Sequence, residues 1–331
     1  MKVYLTNGMV KEETQPEDLK TEFYILELGN KYTYPNDSIS YDVDNELVRL
    51  YDTLRDLFFE NTDEYYNELN FMPIFVQAAG QDSDCAVTKD LFVKLIKDKT
   101  ILELPNINKH LYLVDCQYLI GTIQNLIQGM EYAFLNFYIY LADTTDIMPR
   151  FNDGDVYLEL SGNATRVVSL IETYFTKAYS ILDMICKIAY EMEHRMEDFS
   201  EYKKMKSANV LWGDRKRLKI NNTSKTVFEK CELISIIEAI RNEVVHNGSW
   251  ELRPKIFNVF EGENLIERFV LFPDMEDGHL ATAKNRRHFF GKGTKMNDIF
   301  PKIHYEFMSR VLNTINVLNS FYFENKENRT S

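Results

Sequence analysis

The most regular feature of the sequence is an apolar repeat that runs from Asn163 to about Met196. Its apolar residues alternate steps of three and four positions, which is the heptad spacing of a helix that packs along one stripe against another helix. The repeat consists of Val168, Ile171, Phe175, Ala178, Leu182, Ile185, Ala189 and Met192. It predicts a long helix with a helical partner. Two interpretations stay open, a core helix within the chain and a helix that also builds a dimer interface.

The composition favours a mainly α fold. The 331 residues include 22 Phe and 20 Tyr but only 13 Gly and 8 Pro, which suits long helices better than a turn-rich β-sandwich. Helical periodicity predicts further helices at residues 44–60, 85–98, 107–142, 224–247 and 297–323. Short β-like runs occur at residues 3–6 and 22–28, and residues 255–272 are predicted to form a β-hairpin.

A break in the periodic pattern at residues 143–162 predicts a domain boundary. This segment carries Pro149 and the turn signals Asn152-Asp153-Gly154 and Ser161-Gly162. We therefore expect residues 1–150 to form an α-rich N-terminal domain with short strands, and residues 155–325 to form a helical domain into which the hairpin is inserted.

The charge distribution restricts how the chain could contact a nucleic acid. A net charge of −13 repels polyanions over most of the surface, so such contact requires a local basic patch. One such patch includes Lys203, Lys204, Arg215, Lys216 and Arg217, which are the candidates for contacts with a nucleic-acid backbone. A solvated surface is the ordinary alternative for a run of this size, and a smaller basic run follows at residues 284–287.

The sequence predicts a soluble, cytoplasmic protein with no membrane partner. Acidic residues interrupt the N-terminus too early for a signal peptide, and seven polar side chains interrupt the apolar stretch at 111–142. The four cysteines are scattered without the spacing of a zinc or redox motif, which is typical of a reducing compartment.

Four polar residues near the end of the predicted 224–247 helix could act on a phosphodiester. Glu238, Arg241, Asn242 and His246 fall within an arc of about 140° on a helix. A buried Arg stem needs an anion or a carboxylate, and Glu238 is one available carboxylate. The helix dipole favours the imidazolium form of His246. One group could move a proton while the other stabilises a phosphorane, and that chemistry requires no metal ion or other cofactor.

The string Arg241-Asn242-x-x-x-His246, followed by an Asn-Gly stop and preceded by another long helix, resembles the HEPN superfamily of prokaryotic nucleases. The resemblance covers residues 163–325. It implies an antiparallel helical bundle, a homodimer that joins two motifs in one cleft, metal-independent cleavage of RNA, and a role in phage defence or in a toxin system with an antitoxin partner. Arg241 and His246 would then be catalytic, and Asn242 and Glu238 would orient them.

Other interpretations predict different chemistry. A HEPN-like domain can be a non-catalytic module that only dimerises or binds partners, and Arg241 could merely pair with Glu238 while His246 caps the helix. A small-molecule sensor would instead need a closed pocket among residues 107–142. Glu191 and His194 have the spacing of half a di-iron site, but the charged run at 191–198 is better explained as a solvated helix face. Residues 291–295 are similar to a phosphate loop without its spacing, so an ordinary loop is predicted there.

Overall fold

The computed structural model of the chain describes residues 1–12, 23–98, 104–145 and 156–330, with the backbone alone described from residue 321. The described residues are mainly helical, with short strands, so the prediction of a mainly α fold is confirmed. The helices are α1 Ser38–Phe58, α2 Thr62–Phe71, α3 Ile74–Gln77, α4 Lys89–Lys97, α5 Ile107–Leu141, α6 Gly162–Glu193, α7 Glu232–Asn247 and α8 Met296–Thr330, with a short 3-10 helix at Trp212–Arg217. Within the described ranges, no helix is both long and apolar enough to cross a membrane.

The strands form small antiparallel sheets. They are β1 Lys2–Leu5, β2 Val10–Glu12, β3 Tyr24–Leu28, β4 Lys31–Thr33, β5 Val156–Glu159, β6 Ile256–Glu261, β7 Asn264–Phe269, β8 Met275–Glu276 and β9 His279–Leu280. One sheet has the order β2-β1-β3-β4, a second has the order β5-β6-β7, and β8 pairs with β9. The predicted hairpin is confirmed as β6 and β7, and Gly262 supplies the positive φ that its turn requires.

The chain divides into two compact units. Unit 1 comprises residues 1–43, 125–181 and 223–314, and unit 2 comprises residues 44–124, 182–222 and 315–331. This partition differs from the linear division at residues 1–150 and 155–325, because α1, α5, α6 and α8 each contribute one part to each unit. A helix as long as α5 extends over about 50 Å, so a single helix can contribute to two compact units. Residues 146–155 of the predicted break lie outside the described residues.

Helix α6 contains the apolar heptad repeat that is predicted at residues 163–196. The apolar residues of this repeat form the heptad seam of α6, and all of them are buried. The eight apolar residues of the repeat are each exposed by 5% or less within a single chain. Burial by contacts within the chain favours the core-helix interpretation of the seam over the dimer-interface interpretation.

An aromatic cluster surrounds a buried histidine in unit 1. The ring of His304 is stacked on Phe134 with their centroids 4.2 Å apart. Its Nε2 lies 3.0 Å from the hydroxyl of Tyr34, and its Nδ1 lies 3.3 Å from the hydroxyl of Tyr174. Burial lowers the pKa of His304 to about 3, so the ring is neutral at neutral pH and belongs to the core.

A buried ion pair fastens β5 to the hairpin. The guanidinium of Arg268 on β7 is completely buried, and its Nη2 lies 2.6 Å from the carboxylate of Glu159 on β5. Asn258 on β6 donates to the same carboxylate at 3.4 Å, and Arg268 also donates to the carbonyl of Asp143. Strand β5 was not predicted from the sequence, because its partner β6 lies about a hundred residues further along the chain.

Unit 2 has its own apolar cluster, formed by Met72, Val76, Leu95, Ile107 and Leu111. Helix α2 is not among the predicted helices. It begins at Thr62 and is capped by Asn61, whose side chain accepts from the amides of Asp63 and Glu64. The start of α5 at residue 107 and its end near residue 142 agree with prediction.

Candidate functional site

Helix α7 carries the candidate site, and it is shorter than the sequence predicts. It begins at Glu232 rather than at Ser224. Before it, Lys225 has a positive φ of 58°, and the amide of Val227 donates to the hydroxyl of Thr314 at 2.9 Å. A helix cannot run through a left-handed residue at this position, so the predicted start at residue 224 is wrong.

The predicted end of α7 is confirmed. The helix ends at Asn247, and Gly248 follows with a φ of +88°. Its N-terminal turns bury Leu233, Ile234, Ile237 and Ile240, whereas Asn242, Val245, His246 and Asn247 are exposed. The amphipathic pattern therefore leaves a polar, accessible surface at the last two turns of the helix.

Arg241 is held by an aromatic ring rather than by an acid. Its guanidinium carbon lies 4.4 Å from the ring centroid of Tyr179 on α6, and Nη1 donates to the side-chain oxygen of Asn242 at 3.1 Å. Among the described residues, no carboxylate forms an ion pair with Arg241. A cation fixed over a π face keeps N–H donors available for an anion.

His246 lies in the last turn of α7, about 140° around the helix from Arg241. Its side chain is exposed, and no described residue forms a hydrogen bond with its ring. Glu238 is half-buried one turn before Arg241. The structure thus brings Arg241 and Asn242 into direct contact and leaves His246 accessible at the same end of the helix.

Glu243, inside the same string, is a residue that the sequence analysis passed over. Its buried carboxylate lies 2.7 Å from Nη1 of Arg287 and 3.0 Å from Nε2 of His288, and it accepts from the side chain of Asn247 at 3.2 Å. A signal for it existed, because Glu243 falls on the helix face of Ile236 and Ile240, where an unpaired acid would be costly.

The predicted RNA-binding residues belong to unit 2, whereas Arg241 and His246 belong to unit 1. Within unit 2, Lys203 pairs with Asp198, and Arg217 lies 3.2 Å from Asp214. Arg215 lies over the ring of Trp212, 4.5 Å from its centroid, and Lys204 and Lys216 are exposed. Partial neutralisation by neighbouring acids leaves this patch less basic than its sequence suggests.

The acid that resembled half of a di-iron site has another role. Glu191 is fully buried, and its carboxylate accepts from the hydroxyl of Tyr112 and the amide of Ser207, each at 2.6 Å. The prediction of a solvated face is therefore wrong for Glu191, because these two donors satisfy its charge inside unit 2. In the part of the chain that the structure describes, no group of three acidic, His or Cys side chains could hold a metal ion.

The glycine-rich loop at 291–295 has amides that already bind an anion. The amides of Gly291 and Lys292 donate to the two carboxylate oxygens of Asp274 at 2.8 and 3.0 Å. Consecutive amides of this kind can bind phosphate. Since Asp274 occupies them, the loop is a structural feature of unit 1.

Unit 1 also contains a cavity of about 440 Å³ whose wall includes Phe23, Tyr34, Lys302, His304 and Tyr305. None of the residues that line this cavity comes from 107–142, where the sensor interpretation places a ligand.

Comparisons of the chain with protein-family models, with curated proteins and with solved structures found no match. The candidate site is therefore the end of α7, where the guanidinium of Arg241 and the imidazole of His246 are both accessible to a ligand.

Proposed function

We propose that the protein is a metal-independent endoribonuclease of a prokaryotic defence or toxin type, with a composite active site at a homodimer interface. The observation that supports the proposal is the environment of the Arg241 guanidinium. Its guanidinium lies over Tyr179 without a carboxylate counter-ion among the described residues, and the imidazole of His246 is accessible on the same two helical turns. A mainly α fold agrees with the resemblance to HEPN nucleases.

In the proposed reaction the ribose 2′-oxygen attacks the adjacent phosphorus while the bond from phosphorus to the 5′-oxygen breaks. The 2′-hydroxyl loses a proton and the leaving 5′-oxygen gains one, so the products are a 2′,3′-cyclic phosphate and a free 5′-hydroxyl. His246 would transfer one of these protons, and Arg241 would stabilise the negative oxygens of the phosphorane. Asn242 holds the guanidinium through its 3.1 Å hydrogen bond, and Glu238 would assist in orienting the pair.

The proposal includes a second copy of the chain, since one His and one Arg per chain provide only half of a composite cleft. Exposed Val245 lies between Arg241 and His246 on the α7 surface, which gives this helix end an apolar component that a second copy could cover. An antitoxin or another defence protein would act by blocking the same surface.

The first prediction concerns cleavage of RNA by the purified full-length protein in EDTA. We expect the wild-type chain to cleave a mixed RNA pool and Arg241→Ala and His246→Ala each to lose at least about 100-fold in rate, since each removes a group that acts on the transition state. RNA with 2′-deoxy substitution at the cleaved nucleotide should resist cleavage. Gel analysis of end-labelled RNA measures both effects.

Matched controls are available within unit 1. Arg166 lies over the ring of Tyr140 at 4.6 Å, much as Arg241 lies over Tyr179, but about 20 Å away along α6. His279 is an exposed histidine on β9. Arg166→Ala and His279→Ala should cleave like the wild type. Absence of cleavage by the folded, dimeric wild-type protein would instead favour a non-catalytic dimerisation or interaction module.

A further inference from the structure

The loop at residues 284–288 brings a second cation, Arg287, to the C-terminal end of α7. Arg287 and His288 lie 44 and 45 residues beyond Glu243 in sequence, yet both contact its carboxylate. Asn247 donates to the same carboxylate. The last two turns of α7 and the loop at 284–288 are therefore joined through one buried acid.

The loop adopts a backbone that its own residues do not favour. Lys284 and His288 have φ values of +54° and +63°, in the left-handed region that residues other than glycine rarely adopt. Such conformations persist where the surrounding contacts over-determine them. Lys284 lies in the turn that the backbone pair of Ala283 and Arg286 closes, whereas His288 itself contacts Glu243. The contacts of Arg287 and His288 with Glu243 therefore hold this end of the loop against α7.

The geometry of the helix places this loop beside His246. Glu243 and His246 are three positions apart, which puts their side chains on neighbouring parts of the helix surface, about 60° apart. Arg241 lies on the other side of His246, about 140° away. The imidazole is thus flanked around the helix by Arg241 on one side and by the Glu243 contact with Arg287 on the other.

Arg287 has more N–H donors than its ion pair with Glu243 uses. One guanidinium nitrogen contacts Glu243, whereas the side chain as a whole is 46% exposed. A guanidinium has five N–H donors, so several stay available to a ligand. His288, by contrast, is 11% exposed and its Nε2 is taken up by Glu243, which suits an anchoring role.

We propose that Arg287 is a further phosphate-binding residue of the site, and that Glu243 is a positioning residue that holds it next to His246. This inference rests on the proposed function in one respect, namely that the ligand is RNA. The ligand group is a backbone phosphate next to the one that is cleaved, because Arg241 already serves the reacting phosphate. The interaction is a charge-assisted hydrogen bond from the free edge of the guanidinium.

The test measures binding without cleavage. The probe is a fluorescent single-stranded RNA with 2′-O-methyl groups at every position, which lacks the 2′-hydroxyl nucleophile. Fluorescence anisotropy over a series of salt concentrations gives the Kd and its salt dependence. We expect Arg287→Ala to weaken binding about 10-fold and to reduce the slope of log Kd against log salt by about one, as for the loss of one phosphate contact.

Arg286 provides the matched control. It is an exposed neighbour in the same loop, and its pairing with Ala283 uses only backbone atoms. Arg286→Ala removes the same charge without touching Glu243, and we expect it to weaken binding less than about 2-fold. Equal effects of Arg286→Ala and Arg287→Ala would overturn the proposal, because they would show a diffuse electrostatic effect of the loop.

The sign of the effect of Glu243→Gln separates positioning from simple charge. Removing an acid near a bound polyanion should strengthen binding if charge alone matters. Loss of the anchor should instead weaken binding about as much as Arg287→Ala does, and this is the result we expect. Stronger binding by Glu243→Gln would overturn the positioning role.

A fallback variant is available if Glu243→Gln does not fold, as judged by circular dichroism. In that case the RNA affinity of Arg287→Lys is measured instead. This variant keeps the charge but loses the planar fork, so we expect weaker binding with an unchanged salt slope, and wild-type affinity would overturn the proposal. Binding that depends on Arg287 without any cleavage would reject the nuclease function alone, whereas a wild-type protein that does not bind the RNA would overturn the role of Arg287 itself.

Discussion

At the scale of single residues, the fold keeps one histidine neutral. His304 lies between the hydroxyls of Tyr34 and Tyr174 and against the ring of Phe134, and burial holds its pKa near 3. In the unfolded chain the same ring should titrate near pH 6.5. Between these two values the unfolded state binds a proton that the folded state refuses, so acid favours unfolding.

We predict that His304 makes the protein less stable in mild acid. As pH falls from about 6.5 towards 3, the free energy of unfolding of the wild type should drop relative to that of His304→Gln by up to about 1.4 kcal/mol per pH unit. Urea unfolding at pH 7, 6 and 5 measures the difference. Glu131, whose pKa is raised by burial, titrates in both proteins and largely cancels. Parallel pH profiles for the wild type and His304→Gln would contradict the prediction, and His279→Gln serves as an exposed control.

At the scale of secondary-structure elements, the three-stranded sheet depends on a charge pair that spans it. Arg268 on β7 and Glu159 on β5 meet across the central strand β6, and both are buried. Breaking such a pair from one side leaves an isolated charge without water, which costs far more than the pair itself contributes. The pair of Lys295 with Glu267 is half-buried and keeps contact with water, so it should contribute much less.

We therefore predict strongly non-additive effects in this sheet. Arg268→Met should lower the free energy of unfolding by about 3–5 kcal/mol, because Glu159 stays buried without its partner. The double variant that adds Glu159→Gln should be more stable than Arg268→Met alone, since no unpaired charge is left. Lys295→Met, as a control, should cost less than about 1 kcal/mol in the same urea titration. A double variant less stable than Arg268→Met would refute this account.

The elements that the sequence predicts well are those set by local signals. The periodic apolar spacing of α6 and the Asn-Gly stop of α7 involve neighbours within a few residues, and both match the structure. Ahead of α7, the amide of Val227 donates to Thr314, 87 residues away, and β5 pairs with β6 about a hundred residues away. Distant contacts of this kind leave no periodic trace in the sequence, so the predicted start was wrong and β5 was missed.

The same distinction applies to the site. Arg241, Asn242 and His246 could be placed on one helix end from sequence, because a helix fixes the angles between its own residues. The contacts of Arg287 and His288 with Glu243 could not, since they join segments more than 40 residues apart. The sequence offers Glu238 as one carboxylate for Arg241, but it gives no sign that Tyr179 on α6 lies under the guanidinium.

At the scale of the whole molecule, the proposed composite site makes two copies of the chain functionally inseparable. We predict that a mixed dimer with Arg241→Ala in one chain and His246→Ala in the other regains part of the cleavage activity, because one shared cleft would again contain an intact Arg and an intact His. Co-expression with two different affinity tags allows the mixed dimer to be isolated. Light scattering checks its mass, and the gel assay compares its rate with those of the two parent dimers.

A mixed dimer as inactive as its parents would show that each chain requires its own Arg241 and His246 in one complete site. The parent dimers, purified through the same two tags, are the matched controls for expression and assembly. The activity of the mixed dimer tests only whether the two chains share a site. Whether the protein cleaves RNA at all is tested separately, by the cleavage rate of the wild type.

The filled seam of α6 has a consequence for engineering this molecule. Because its apolar side chains are already covered inside the chain, the proposed contact between copies has to use other, surface residues. Substitutions at the surface should then abolish the proposed assembly while the monomer keeps its resistance to denaturant. Such a monomer, well folded but unable to complete the proposed cleft, would be the most direct reagent for asking what pairing contributes.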